Sequence, residues 1–301
     1  MSGIRVGNAP VSFGIFEAAF GDMKQLPWPK VLDMIVETGY QGTELGPYGY
    51  LPTDPAVLAA ELGRRNLGLG SSFVPVVLGD PAALDAAIKE CLMVGRLLHA
   101  LGVPEVIVAD AGDDARQATA GMDGPGWTGA QWDAAIRAFD AIGDALAREL
   151  GMRIVVHHHA GTYIETPSEV EHLLDRTDPE RVALLLDTGH YVYGGGDPVD
   201  IVRRRGDRVR YLHYKDIDMA RLRSIRARRV AMHEAWKEDV FVPLGRGCVG
   251  FPTITKLLRG QGYEGWIIVE QDTIPDAEGN LSPDPFACAK ESRDYLHGLG
   301  L

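Results

Sequence analysis

Four short apolar runs in the second half of the chain each stop on residues that can bind a metal or move a proton. Val155-Val156 leads into His157-His158-His159, and Leu184-Leu185-Leu186 into Asp187-Thr188-Gly189-His190. Tyr211-Leu212 leads into His213-Tyr214-Lys215-Asp216, and Ile267-Ile268-Val269 into Glu270-Gln271-Asp272. Side chains alternate along a strand, so His157 shares a face with His159, and His213 with Lys215. Carboxylates and imidazoles at the ends of apolar strands are costly to bury unless they are paired or bind a metal. One such residue is usually only a hydrogen-bonded cap. Four on successive strands, delivered to one rim, point instead to a divalent ion. Mixed oxygen and nitrogen donors suit manganese, cobalt, iron or zinc better than calcium or a thiolate-seeking metal.

The elements that must position these residues alternate from end to end. Strands are expected at Ile4–Val6, Gly42–Leu45, Gly68–Val74, Glu105–Ala109, Arg153–His157, Val182–Leu186, Val209–His213 and Trp266–Val269. Amphipathic stretches lie between them. One is Trp28–Glu37; another runs from Asp54 to Arg65, with Asp54 as N-cap and Pro55 in the first turn. Repeated strand–helix units imply a parallel sheet, and eight of them close into a single (β/α)8 barrel, an α/β fold with its active site at the C-terminal strand ends. An open doubly wound sheet is the rival, but no G-x-G-x-x-G follows the first strand. The whole chain, residues 1–301, is expected to be one catalytic domain.

Two stretches break the rhythm. Residues 112–129 are rich in Gly, Asp and Thr and read as a loop over the barrel mouth. Residues 216–241 read as an inserted helical segment carrying a basic run from Arg221 to Arg229, then Trp236. It suits a lid or a contact between copies in a homo-oligomer, against the plainer reading of a surface helix with solvated arginines. A net charge of −12 argues against nucleic acid or an anionic membrane as partner. No apolar run spans a bilayer, the N-terminus lacks a signal-peptide shape, and three scattered cysteines outline neither disulfides nor a zinc cluster, so a cytoplasmic protein is expected.

The segments HHHAGTYIETPSEVEHLL (157–174), LLLDTGHYVYGGGDP (184–198), DRVRYLHYKDI (207–217), VFVPLGRGCVGF (240–251) and GYEGWIIVE (262–270) resemble the xylose-isomerase-like superfamily of sugar isomerases, epimerases and dehydratases. A weaker likeness covers 39–62. The D-T-G-H and H-x-K-D strand ends are shared across that superfamily, and the triple His before Ala-Gly-Thr points to its inosose dehydratase branch. The resemblance implies metal ligation by His157, Asp187, His213 and Glu270, with manganese or cobalt first and magnesium, iron or zinc compatible. His157 stands where relatives usually carry Glu, and His159 is the alternative ligand. His190 and Lys215 are implied beside the metal as acid, base or substrate-binding groups, together with Glu270. Glu44, Glu17, His159 and Arg246 are candidates for substrate recognition, although Glu44 equally suits a plain surface carboxylate.

Replacing Glu by His at strand five removes one of the two facing carboxylates that epimerases commonly use. One base and one acid suffice for elimination of water. The resemblance therefore implies a metal-dependent dehydratase acting on a polyhydroxylated carbonyl compound, a keto-cyclitol or keto-sugar. A ketose isomerase or epimerase, a C-glycoside-cleaving eliminase and a non-catalytic sugar-binding barrel are the alternatives. The first loop, VSFGIFEAAFGDM, lacks the Trp and acidic stretch usual in inosose dehydratases, which bears on substrate choice.

Overall fold

Period-two alternation builds two separate apolar layers from the same strands. Strand β1 spans Ile4–Asn8, β2 Gly42–Thr43, β3 Gly68–Leu69, β4 Phe73–Val76, β5 Glu105–Asp110 and β6 Arg153–His157. They are followed by β7 (Val182–Asp187), β8 (Val209–Tyr214), β9 (Asp216–Ile217), β10 (Phe241–Val242) and β11 (Gly265–Val269). The structure is a computed structural model and describes residues 3–16, 25–276 and 278–301. Ala183 and Leu185 of β7, Val155 of β6, Tyr211 of β8, and Trp266 and Ile268 of β11 pack together inside the sheet. Their chain neighbours Leu184, Leu186, Ile154, Val156, Leu212 and Ile267 join the helices outside it.

Among the described residues, nine strands form one sheet in the order β3-β2-β1-β11-β8-β7-β6-β5-β4. The pairings from β4 around through β11 and β1 to β3 are all parallel. The two edge strands, β3 and β4, are one broken path. Gly70 N donates to Thr43 O on one side, and Ile107 N to Ser72 O on the other, so residues 70–72 close the ring. The result is a barrel of eight staves, as the alternation predicts. The third stave, expected to be continuous, splits because its first half pairs with β2 and its second with β5. The barrel floor is filled by the Trp266 indole. A Cβ on Gly42 would stand 2.3 Å from that ring, so only glycine fits there.

Helices cover the outside as expected, among them Trp28–Glu37, Pro55–Arg64, Leu84–Ala100 and Gly129–Leu150. Asp54 Oδ1 accepts from Ala56 N and Val57 N at 2.9 Å, which makes it the predicted N-cap. The stretch at 112–129 is not wholly irregular, since it holds a short helix, Asp114–Gln117.

The segment after β8 leaves through β9 and returns through β10, which pair antiparallel as a short ribbon. Between them lie helices Met219–Arg228 and Met232–Ala235 and a 3-10 turn, Trp236–Glu238. Three of the arginines of its basic run, Arg221, Arg226 and Arg228, have protein partners. Arg226 donates to the carbonyl of Tyr193, Arg228 pairs with Glu238, and Arg221 donates to Asp239 O at 2.6 Å. Asp216 anchors the base of the ribbon: its carboxylate accepts from the backbone N–H of Gly245, Gly247 and Val249 at 2.8–3.0 Å. A Cβ on Gly247 would meet Asp216 Oδ1 at 2.3 Å.

Candidate metal centre and active-site cavity

Inward parity explains which residues reach the barrel mouth. The positions that fill the interior, Val155, Leu185, Tyr211 and Ile268, are each followed two residues later by His157, Asp187, His213 and Glu270. One more step along the same face gives His159, Lys215 and Asp272. His157, Asp187, His213 and Glu270 offer ligand atoms that all lie within 4.8 Å of one another, and all four are buried. Asp187 Oδ2 stands 3.8 Å from both His157 Nε2 and His213 Nδ1, and His213 Nδ1 is 3.2 Å from Glu270 Oε2.

Two atoms at the centre test the fit to a cation. Asp187 Oδ2 and His213 Nδ1 are buried without a hydrogen-bond partner among the described residues. Such orphans are expensive, and a divalent ion among two imidazoles and two carboxylates would satisfy both. The remaining atoms of the set are fixed from behind. Asp187 Oδ1 accepts from His190 N at 2.8 Å, and His213 Nε2 pairs with Glu44 Oε1 at 2.9 Å. A carboxylate on the far nitrogen of a ligating imidazole fixes the tautomer and presents the near lone pair. Glu44 is thus buried and holds His213, whether or not it also meets substrate.

Lys215 is the only lysine or arginine among the described residues lining the cavity, and it is heavily engaged. Its Nζ lies 2.7 Å from Asp272 Oδ1, 3.1 Å from Glu270 Oε2, 3.2 Å from His190 Nε2 and 3.7 Å from Asp187 Oδ2. Burial would depress its pKa, but Asp272, Glu270 and Asp187 outweigh burial and raise it, so the ammonium stays charged. Burial also opposes ionisation of Glu270, yet His213 and Lys215 hold its carboxyl well below the usual range. Asp187 is pushed up to about 6, chiefly by burial. Without a cation His213 is raised to about 10, because Glu270 and Glu44 overcome the burial that would lower it, so a cation bound at Nδ1 displaces a proton.

The other imidazoles are neutral, each depressed first by burial: His159 to about 4, His158 to about 3, His157 and His190 well below the ordinary value. They occupy different depths. His158 faces away and accepts from Asp187 N at 3.3 Å through Nε2. His159 lines the cavity, with Nδ1 2.7 Å from Ala160 O, so Nδ1 carries the proton and Nε2 keeps its lone pair. His190 is fully buried behind it, ring centroids 3.7 Å apart, and touches Lys215 rather than the open space.

The cavity measures about 230 Å³. Its strand-end side carries Glu44, Asp110, His213, Lys215, Glu270 and Asp272, and its loop side Val11, Ile15, Phe16 and Trp236, with Phe73 of β4 between them. Asp110 and Asp272 were not singled out in the sequence. Asp272 had a signal, its parity with Glu270; Asp110 had none beyond ending β5. Asp110 Oδ2 accepts from Gly112 N and Tyr163 N at 3.1 and 3.0 Å, and burial pushes its carboxyl up to about 6. Arg246 lies elsewhere: it is exposed, paired with Glu291 at 2.6 Å, and does not line the cavity. Glu17 lies outside the described residues. No described helix is long and apolar enough to cross a membrane.

Comparison with known proteins agrees with the barrel fold. The family described as xylose isomerase-like TIM barrel matches residues 32–296. An inosose dehydratase of Geobacillus kaustophilus is 32% identical over 299 residues, covering 98% of this chain and 94% of the relative. Among solved structures, D-allulose 3-epimerase from Methylomonas sp. in complex with D-allulose superposes with a TM-score of 0.70 at 18% identity, covering 98% of this chain and 96% of that one. A probable 3-DHS dehydratase from Bacillus anthracis also gives 0.70, at 15% identity with 99% of both chains covered. These two structural likenesses speak to the fold.

Proposed function

We propose, from the premise that this chain belongs to the xylose isomerase-like TIM barrel family, that it is a hydro-lyase removing water from a keto-cyclitol, 2-keto-myo-inositol in the first instance. The observation that carries the reading is the pairing of one cavity-facing neutral base with one fixed cation around the buried His157, Asp187, His213 and Glu270 set. The near full-length likeness to inosose dehydratases supports it. The chain acts as a single catalytic barrel, and the segment at 216–241 belongs to its mouth.

His157, Asp187, His213 and Glu270 would hold one divalent ion, with manganese or cobalt preferred over magnesium, iron or zinc. When bound, that ion would supply Lewis-acid polarisation of the substrate carbonyl. His159 Nε2, whose lone pair is fixed by the Nδ1 contact, takes the proton from the carbon next to the carbonyl. Lys215, kept charged by three carboxylates, meets the β-hydroxyl and offsets the charge that develops as it leaves. The C–H electron pair becomes the new C=C bond, the C–O bond breaks, and the departing hydroxide takes the proton carried by the His159 imidazolium and leaves as water. The α-carbon bears a hydroxyl, so the product is the enol of a 1,2-diketone. His190 supports Lys215 from behind, which makes it a positioning group here.

Incubation of the manganese- or cobalt-supplemented protein with 2-keto-myo-inositol should give a product lighter by one water. His159→Asn should lower kcat by about 10²- to 10⁴-fold at unchanged metal content. His190→Asn should cost less. Mass-conserving isomers alone, from a panel of keto-cyclitols and keto-sugars, would overturn the lyase reading.

A further inference from the structure

The segment between β9 and β10 does more than cover the barrel mouth. Its 3-10 turn begins at Trp236, whose indole lines the cavity. There it meets Phe16 from the loop after β1, ring centroids 6.1 Å apart at 41°. The His159 imidazole stands edge-on at 6.2 Å. Three loops therefore contribute rings to one wall, while the strand ends contribute Glu44, Asp110, His213, Lys215 and Glu270 to the rest of the same space.

The turn that presents Trp236 is held from both sides. Met232 and Ala235 are fully buried just before it. After it, Glu238 pairs with Arg228, Asp239 adopts the left-handed conformation at φ 49°, and Arg221 donates to Asp239 O at 2.6 Å. An indole carried on so constrained a turn is in place before a ligand arrives, which lowers the cost of binding.

We propose that Trp236, with Phe16, forms an aromatic plate that receives the C–H face of the substrate ring and selects a rigid carbocycle over an open-chain ketose. The inference rests on the keto-cyclitol reading and names what enforces it. A cyclitol with mostly equatorial hydroxyls presents a polar rim and two apolar C–H faces. Polarisable aromatic rings pack on such a face while carboxylates and imidazoles take the rim. An open-chain ketose has no fixed apolar face to offer. A cavity of about 230 Å³ accommodates one six-membered ring.

The test uses the intact metal-loaded protein and two probes that cannot be dehydrated: myo-inositol, which has the ring, and D-sorbitol, which has six carbons and six hydroxyls without it. The wild type should bind myo-inositol more tightly than sorbitol in calorimetric titration. Trp236→Ala should lose about tenfold for myo-inositol and little for sorbitol, with metal content unchanged. Trp236→Phe should keep most of the affinity, and Phe16→Leu, which keeps apolar bulk without a ring, should lose about threefold. The two conservative variants carry the test if Trp236→Ala does not fold. Absence of a ring preference in the wild type, or unchanged myo-inositol affinity in both Trp236→Ala and Phe16→Leu, would overturn the plate. Because neither probe reacts, a plate that behaves as expected alongside a failed dehydration assay would overturn only the lyase reading.

Discussion

The two halves of this barrel end in different chemistry. Strands β6, β7, β8 and β11 finish on His157, Asp187, His213 and Glu270, one ligand atom each. Strand β1 leads into Ala9 and Pro10 and β4 carries Phe73 and Pro75 along the same cavity, with Glu44 after β2 and Asp110 at the end of β5 as their carboxylates. One half concentrates charge; the other mostly shapes the space around it. The exception teaches the most, because Glu44 crosses between them to hold His213. The halves are therefore separable in composition but coupled at the buried His157, Asp187, His213 and Glu270 set through the Glu44–His213 hydrogen bond.

The sharpest way to break this contrast is inside the charged half. Glu270→Gln should lower kcat by about 10³-fold and release metal, while the melting temperature of the metal-free protein stays close to wild type. Full activity of that variant in chelator-treated buffer would end the metal-centre reading. Next in size is the crossing contact. Glu44→Gln should weaken metal affinity by about 10- to 100-fold, measured by competition with a chromophoric chelator. An unchanged affinity would mean that the two halves are independent after all.

The smallest effect belongs to the loops above the first half. Arg116 reaches Glu165 at 2.9 Å, and Gly121 N also donates to that carboxylate, which clips residues 112–129 to the loop after β6. Burial outweighs Arg116 and pushes Glu165 from 4.5 up to about 7. A carboxyl whose folded pKa is raised binds more protons folded than unfolded. Its contribution to stability is complete below pH 4.5 and is lost as pH rises through about 7. The melting temperature should fall across that window in the wild type and fall less in Glu165→Gln. Equal slopes in calorimetric scans would show that this clip does not report pH.

The charged half was largely legible because it follows from local rules. An apolar run with a fixed parity brings His157 and His159, Asp187, His213 and Lys215, and Glu270 to one rim, and the family resemblance singles out His157, Asp187, His213 and Glu270 among them. The helix over Pro55–Arg64 was legible for a similar reason: Asp54 and Pro55 mark its start. What the sequence withheld are relations across distance. Glu44 and His213 are separated by 169 positions, and nothing near either announces the other. His190 looked like an active-site group from its motif, but a short helix, Thr188–Tyr193, turns it behind His159 and Lys215. Arg226 and Arg228 of the inserted segment looked solvated because their partners, Tyr193 and Glu238, lie outside the run itself.

The pairing of Ile217 with Phe241 has an evolutionary consequence. The ribbon is fastened below by Asp216, immediately after Lys215 and facing the opposite way. Everything between the paired residues can therefore lengthen, shorten or be exchanged without moving the charged strand end. One such exchange would hand the same barrel a different roof, and a lineage could change what it admits while leaving its reactive centre unmodified.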